Sequence, residues 1–312
     1  MKKIAFVFPG QGAQYVGMGK DFCQFESART TFEEADDLLK EKLSQIIWEG
    51  PLDLLTETKN SQLAIFVVSC ALLHTLKKEL PELQPASTAG LSLGEYTALY
   101  AAGKISFEDA LLLIQKRALF MDEACRKKKG GMAAVLGMET SHIRKILEKE
   151  KSEVWVANCN CPGQVVISGS PLAIEKVTEV LKQEGARKVI PLQVHGAFHS
   201  PYMAPAMERL EPFIRQTKWS DSGMPIAMNV PGDFVSFKDI PGFLIQQVVS
   251  SVRWDESVQK MYQANTELFL EIGPGKTLTG LNRKIAPNAE CISIDKVSDL
   301  HTFLETVAGT LC

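Results

Sequence analysis

The sequence predicts an α/β protein in which one large domain is interrupted by a small α+β domain. Three observations lead there. The apolar run Ile4–Phe8 breaks at once into Pro9-Gly10, as a buried strand does on entering a turn. Helical and strand-like patterns then alternate along most of the chain. Between residues 126 and 197 the order becomes βαββαβ, which at about 70 residues suits the ferredoxin-like pattern.

The elements follow in order. After the strand at 4–8 and the Gly-rich turn Pro9–Gly12, helical spacing covers 27–42 and 61–80, the second carrying Leu63, Phe66, Val67, Cys70, Leu73 and His74. Pro81 and Pro85 close that helix, and 86–90 reads as a short strand. Helices are expected at 94–102, ended by Gly103, and at 106–125. Arg126-Lys127-Lys128-Lys129-Gly130-Gly131 marks a boundary. Beyond it come strand 132–136, helix 141–150, strands 154–158 and 164–168, helix 171–184 and strand 188–194. The alternation then resumes with helix 203–217, strand 225–229, helices within 239–264, strand 267–272 and a helical C-terminus. The expected architecture is a discontinuous α/β hydrolase-like domain over 1–125 and 198–312, with a ferredoxin-like subdomain over 126–197.

Composition narrows the function. The 312 residues carry a net charge of −3, 45% hydrophobic and 23% charged residues, as an ordinary globular enzyme does. A general nucleic-acid binder would need a basic excess to meet phosphates. No apolar run approaches the roughly 18 residues of a membrane span, and the first apolar stretch is too short for a signal peptide. Seven scattered cysteines with no CxxC favour reduced thiols and a cytoplasmic location.

Several patterns fail on spacing. Gly10-Gln11-Gly12 follows a strand, but a dinucleotide fingerprint needs a third glycine where Tyr15 stands. Gly275-Lys276-Thr277 resembles the end of a phosphate loop whose first glycine would fall on Leu270. Cys159 with Cys161, or His195 with His199, lack further ligands at zinc-like spacing, so no metal is expected. The run Arg126–Lys129 reads as a solvated turn, or in a second reading as a docking patch for an acidic partner.

Gly90-Leu91-Ser92-Leu93-Gly94 lies between an expected strand and an expected helix, where a G-x-S-x-G elbow exposes its serine on a sharp turn. Ser92 would then face a cleft, and the Leu93 N–H at the helix start could meet developing negative charge. A serine nucleophile needs a base. Of five histidines, His74 lies on an apolar stripe, His142 starts a helix and His301 is near the C-terminus. His195 and His199 lie in an irregular segment between strand and helix, and His199 is the better candidate because His195 continues the strand pattern. No acid stands at a diagnostic offset, so a backbone carbonyl or an amide could orient the histidine. Arg117 sits in an apolar helix about 40° around the axis from Met121, which could make a pocket with one cation for a carboxylate. Periodicity alone favours a surface arginine lying along its stem.

Phe8-Pro9-Gly10-Gln11-Gly12-Ala13-Gln14, the serine elbow with Glu95-Tyr96, Gln115-x-Arg117, Asn160-x-Pro162-Gly163-Gln164, Phe198-His199-Ser200 and Glu271-Ile272-Gly273-Pro274-Gly275 occur in that order. Together, over nearly the whole chain, they resemble the malonyl-CoA:acyl carrier protein transacylase family of type II fatty acid synthesis. The resemblance implies a ping-pong acyltransferase with malonyl-CoA and acyl carrier protein as partners, no cofactor, and a monomer. It implies Ser92 as nucleophile, His199 as base, and Arg117 as the partner of the malonyl carboxylate, which outranks the surface reading. Gln11 and Leu93 would supply oxyanion-hole N–H groups, the Gln247 main-chain carbonyl would orient the histidine, and Phe198 would narrow an acyl pocket that Met121 also lines. One departure is Leu91, where most of the family has histidine. A serine esterase or thioesterase, and a non-catalytic carrier-protein binder, are the competing readings.

Overall fold

The computed structural model describes Lys2–Val194 and Gly196–Leu311. His195, left open above, lies outside the described residues, as do Met1 and Cys312. The chain divides into two units: Met1–Ala118 with Lys218–Ala227 and Met261–Cys312, and Leu119–Thr217 with Met228–Lys260. One division falls inside the helix Phe107–Lys127.

In the first unit the strands Glu290–Ile294, Leu268–Ile272, Ile4–Phe8, Ser87–Gly90 and Ile226–Met228 lie side by side in that order, every neighbouring pair parallel. Parallel strands are covered on both faces, which is why the central ones read as continuous apolar runs rather than alternating ones. Ala5, Phe6, Val7 and Phe8 are wholly buried. Glu271 is the exception within Leu268–Ile272. Its buried carboxylate accepts the N–H groups of Leu278 (3.0 Å) and Thr279 (2.7 Å), capping the helix Thr277–Ile285 that follows. Burial pushes the Glu271 carboxyl up, against the pull of those hydrogen bonds.

The expected helical C-terminus carries one strand besides its helices. Glu290–Ile294 is a strand between the helices Thr277–Ile285 and Val297–Leu311. It lies at the sheet edge and is only partly buried, so its five residues carry neither the apolar run nor a clear alternation. Two short helices, Leu43–Glu49 and Leu52–Thr56, also lie outside the sequence expectation.

In the second unit the strands Lys188–Pro191, Gly131–Leu136, Gln164–Gly169 and Val154–Cys161 form antiparallel neighbours in that order. The helices Thr140–Glu150 and Pro171–Gln183 cover one face through Ile143, Ile146, Leu147, Val177 and Leu181, packed on Val135, Val156 and Ile167. Ser170 caps the second helix by accepting the Ala173 N–H, with Pro171 at its first position. A further strand, Val252–Arg253, pairs parallel with Asn158-Cys159. It splits the helical stretch expected over 239–264 into Ile240–Gln247 and Trp254–Gln263. The strand expected over 188–194 stops at Pro191.

Among the described residues no helix is long and apolar enough to cross a membrane, and no group of three or more His, Cys, Asp or Glu is placed to hold a metal ion. Cys159 and Cys161 are buried free thiols on one strand.

His74 illustrates how the first unit uses a polar group among apolar ones. The Thr31 hydroxyl donates to the Ser27 carbonyl (2.8 Å), so it accepts from Nδ1–H of His74 at 2.6 Å. Nε2 is then the acceptor for the Tyr100 hydroxyl, 2.5 Å away. The imidazole is therefore neutral, and burial, helped by the Lys77 cation, lowers its pKa to about 4 from the ordinary 6.5. Because the folded value lies below the unfolded one, the stabilisation is complete above pH 6.5 and is lost as pH falls towards 4. The full difference corresponds to about 3 kcal/mol. Urea unfolding followed from pH 7 to pH 4 should show this acid-side loss in the wild type and a flatter profile in His74→Gln.

Candidate active site

The site begins where two parallel strands end together. Phe8 and Gly90 are register partners, and the Leu91 N–H donates to the Phe8 carbonyl at 3.1 Å. The chain then reverses into the helix Gly94–Ala101, with Gly94 N–H on the Leu91 carbonyl (2.9 Å) and Glu95 N–H on the Ser92 carbonyl (3.1 Å). Such a sharp turn forces Ser92 into the left-handed region at φ 53°, an uncommon conformation for a non-glycine residue. Two glycines make it sterically possible. A Cβ on Gly90 would lie 1.9 Å from the Gly94 carbonyl, and one on Gly94 would lie 2.1 Å from the Phe8 oxygen. Leu93, wholly buried, stands immediately before the helix.

Gln11 sits in the neighbouring turn after Phe8, where the Ala13 N–H reaches back to the Gly10 carbonyl at 3.4 Å and Gly12 has φ 102°. The Gln14 side chain accepts the Gly12 N–H at 2.8 Å, tying the turn from its far side. From the other strand end, a Cβ on Gly273 would meet the Pro9 ring at 2.7 Å, so the Glu271–Gly275 motif packs directly on this turn.

Arg117 corrects the reading from periodicity. It is 1% exposed, inside the protein rather than lying on its surface. Its Nη2 donates to Ser92 Oγ at 3.0 Å and its Nη1 to Gln62 Oε1 at 2.6 Å. The guanidinium lies over the Tyr96 ring, with Cζ 5.6 Å from the centroid. Burial lowers the Arg117 pKa, whereas Tyr96 and the Glu95 carboxylate raise it. An arginine stays protonated under such a shift, so this is a buried cation.

Gln62 is a site residue that motif reading missed. It lies in the helix Thr58–Glu79, where Asn60, Ser61 and Gln62 are buried with Leu63 to Leu73. Polar side chains inside a helix that is apolar nearly all round were the available signal, since buried polar groups need partners.

In the second unit His199 also has left-handed backbone, φ 57°, and is 4% exposed. Its Nδ1 lies 2.9 Å from the Gln247 main-chain carbonyl. A carbonyl only accepts, so Nδ1 carries the proton and Nε2 of the neutral ring keeps its lone pair. Gln247 ends the helix Ile240–Gln247, whose C-terminal dipole favours positive charge on the imidazole. The turn is held by Ser200, whose hydroxyl donates to the Ala197 carbonyl (2.6 Å) and accepts the Tyr202 N–H (3.3 Å). Gly196 is required there, because its Cβ would lie 2.2 Å from Cys125 Sγ. Phe198 and Met121 are both buried.

The basic run Arg126–Lys129, expected as a turn, is exposed, and its first two residues form the end of the helix Phe107–Lys127; Lys128 is not idle. Its Nζ lies 3.5 Å from the centroid of the Tyr202 ring, and the Tyr202 hydroxyl donates to Glu153 at 2.7 Å.

The sequence-predicted residues thus form two local groups, Ser92 with Arg117 in one unit and His199 with Gln247 in the other. A strand-to-helix serine elbow beside a buried arginine defines an acyl transferase, and residues 5–284 match the family model of the acyl transferase domain. The malonyl CoA-acyl carrier protein transacylase of Bacillus subtilis (strain 168) is 42% identical, with 98% of each chain covered. The protein of that name from Haemophilus influenzae is 36% identical over 98% of this chain and 99% of its own. The crystal structure of MCAT from Streptococcus pneumoniae matches with a TM-score of 0.93 at 38% identity, covering 97% of this chain and 100% of that one. A complex described as a type II PKS acyl-carrier protein with its malonyl-transacylase matches at 0.93 and 33% identity, covering 97% and 99%. The chain belongs to the malonyl CoA-acyl carrier protein transacylases.

The elbow generates a direct expectation. Gly90→Ala drives a methyl group into the Gly94 backbone and should lower stability by at least about 1–3 kcal/mol. Thermal unfolding of Gly90→Ala beside wild type measures it; an unchanged midpoint would contradict the close packing.

Proposed function

We propose that this chain loads acyl carrier protein with malonyl groups taken from malonyl-CoA, through a malonyl ester on Ser92. The observation that carries the reading is the buried Arg117 guanidinium donating to Ser92 Oγ, since it puts a fixed cation beside the elbow serine. In the first half-reaction Nε2 of His199 accepts the Ser92 proton as Oγ attacks the thioester carbonyl. The tetrahedral oxyanion is met by the N–H groups of Gln11 and Leu93. The intermediate collapses, the C–S bond breaks, and the His199 imidazolium returns its proton to the CoA sulfur. In the second half the phosphopantetheine thiol of the carrier protein gives its proton to His199, attacks the ester, and leaves Ser92 reprotonated. The dipole at the end of Ile240–Gln247 and the Gln247 carbonyl support the imidazolium in both halves.

Arg117 is assigned to the malonyl carboxylate, which a guanidinium grips with two parallel hydrogen bonds. Phe198 and Met121 are assigned to the apolar wall of the acyl pocket. Leu91, in place of the histidine common in the family, leaves the serine with a more apolar neighbour and removes none of these roles. The reaction needs no cofactor, because both acyl partners bring activated carbonyl or thiol chemistry themselves, and one chain holds every residue named.

The same reading extends to the architecture. Residues 1–125 and 198–312 are assigned to a hydrolase-like catalytic domain, on the support of the parallel sheet and the strand-to-helix elbow. Residues 126–197 are assigned to an inserted ferredoxin-like subdomain. Its support is the βαββαβ element order and the spatial strand order fourth, first, third, second.

Two measurements test the function. Intact-protein mass spectrometry after brief exposure to malonyl-CoA should show a malonyl adduct on wild type. That adduct should be absent from Ser92→Ala and discharged by holo acyl carrier protein. Free malonate without an adduct would make the chain a hydrolase. Arg117→Ala should reduce the malonyl-to-acetyl ratio of kcat/KM by about 10- to 100-fold, the scale of a lost charged hydrogen bond. An unchanged ratio would remove Arg117 from the carboxylate.

A further inference from the structure

Four turns leave the same end of the parallel sheet, because Ser87–Gly90, Ile4–Phe8, Leu268–Ile272 and Glu290–Ile294 run side by side in one direction. The turn after Ile4–Phe8 carries Gln11, and its own backbone holds it weakly. The bond from the Ala13 N–H to the Gly10 carbonyl is long, at 3.4 Å. Among the described residues, Gly12 and Gly17 face open space. The turn is therefore placed from outside. At its start Gly10 lies against the serine elbow, where a Cβ would stand 2.4 Å from the Leu91 carbonyl oxygen. At its end the Gly17 N–H donates to the Ile47 carbonyl at 2.8 Å.

Between these anchors the half-buried Tyr15 donates its hydroxyl to the Asp295 carboxylate at 2.9 Å. Asp295 follows the edge strand Glu290–Ile294, two strand spacings from Ile4–Phe8, or about 10 Å. Its own backbone is fixed, since its N–H donates to the Asp299 carboxylate at 3.2 Å and that of Lys296 does so at 2.9 Å. A second bond runs beside the first: Asp21 accepts the Val297 N–H at 2.8 Å, at the start of the helix Val297–Leu311. Burial pushes the Tyr15 phenol up, and its bond to Asp295 pushes it the same way, so the hydroxyl keeps its proton and stays a donor.

We infer that Tyr15 is a positioning residue for acyl transfer: its bond to Asp295 fixes the turn that presents the Gln11 N–H to the oxyanion. The inference rests on the reading that Gln11 supplies that N–H. An oxyanion donor helps only when it is held at hydrogen-bond distance from the place where charge develops. A turn that drifts from that place loses rate without losing substrate. The edge strand thereby has a use beyond completing the sheet, because it carries the acceptor.

The experiment uses the full chain and Tyr15→Phe, which removes only the hydroxyl. It reads the single-turnover rate of adduct formation with malonyl-CoA and with acetyl-CoA. It also reads the infrared carbonyl band of the Ser92 ester formed from malonyl-CoA carrying 13C at its thioester carbonyl. Tyr15→Phe should slow both donors about tenfold, the scale of a displaced catalytic group. Half-saturation should stay within about twofold, and the ester band should move to higher frequency as its hydrogen bond weakens. Asp295→Asn keeps an acceptor and should stay within about threefold of the wild-type rate, whereas Asp295→Leu should match Tyr15→Phe. The double variant Tyr15→Phe/Asp295→Leu should be no slower than either single one. If Asp295→Leu does not fold, Tyr15→Phe and Asp295→Asn decide the matter. An unchanged rate and band in Tyr15→Phe would overturn the inference, as would a loss confined to half-saturation or to the unfolding midpoint. A wild-type ester band at the frequency of a free ester would instead overturn the oxyanion reading. A wild type that forms no adduct would overturn the function proposed above, so the three failures are distinct.

Discussion

A guanidinium held out of water is the constraint around which the surroundings of the elbow serine are organised. Moving such a cation from water to a protein interior costs several kcal/mol unless hydrogen bonds and local potential replace its hydration. The Gln62 amide, the Ser92 hydroxyl and the Tyr96 ring meet part of that cost for Arg117, and the Glu95 carboxylate favours the cation as well. The consequence reaches back into the core. The helix Thr58–Glu79 must accept Asn60, Ser61 and Gln62 among its buried apolar residues.

The second organising feature is backbone strain at Ser92 and His199. Ser92 at φ 53° and His199 at φ 57° occupy a region that costs non-glycine residues about 1–3 kcal/mol. Each is over-determined locally. At Ser92 the Gly90–Gly94 approach and the bonds from Leu91 and Gly94 close the elbow. At His199 the Ser200 hydroxyl bridges Ala197 and Tyr202, while Cys125 leaves room only for glycine at 196. The motif glycines and the serine after the histidine thus hold these two backbones in place.

Much of this was legible beforehand, and the exceptions have physical causes. Ile4–Phe8, Ser87–Gly90 and Leu268–Ile272 were readable because fully buried parallel strands are short apolar runs bounded by glycine and proline. The second unit's helices and strands were readable because their apolar positions follow clean helical or alternating periods. Glu290–Ile294 escaped because an edge strand needs only partial burial and so leaves a weak pattern. Val252–Arg253 escaped because a two-residue strand is defined by its partner, Asn158-Cys159, and not by its own composition.

The sequence by itself determined the serine elbow and the six ordered motifs, since each rests on local turn chemistry or fixed spacing. Tertiary structure decided that Arg117 is buried, that Gln62 bonds it and that the Tyr96 ring lies beside it, and it brought the Gln247 carbonyl, which the family resemblance had implied, to His199 from 48 residues away. Those facts depend on which elements lie beside one another. A helical period reports which face a side chain occupies but says nothing of what stands opposite it. For a charged residue in an apolar helix, that opposite surface decides between a stem lying along the outside and a cation fixed within the site.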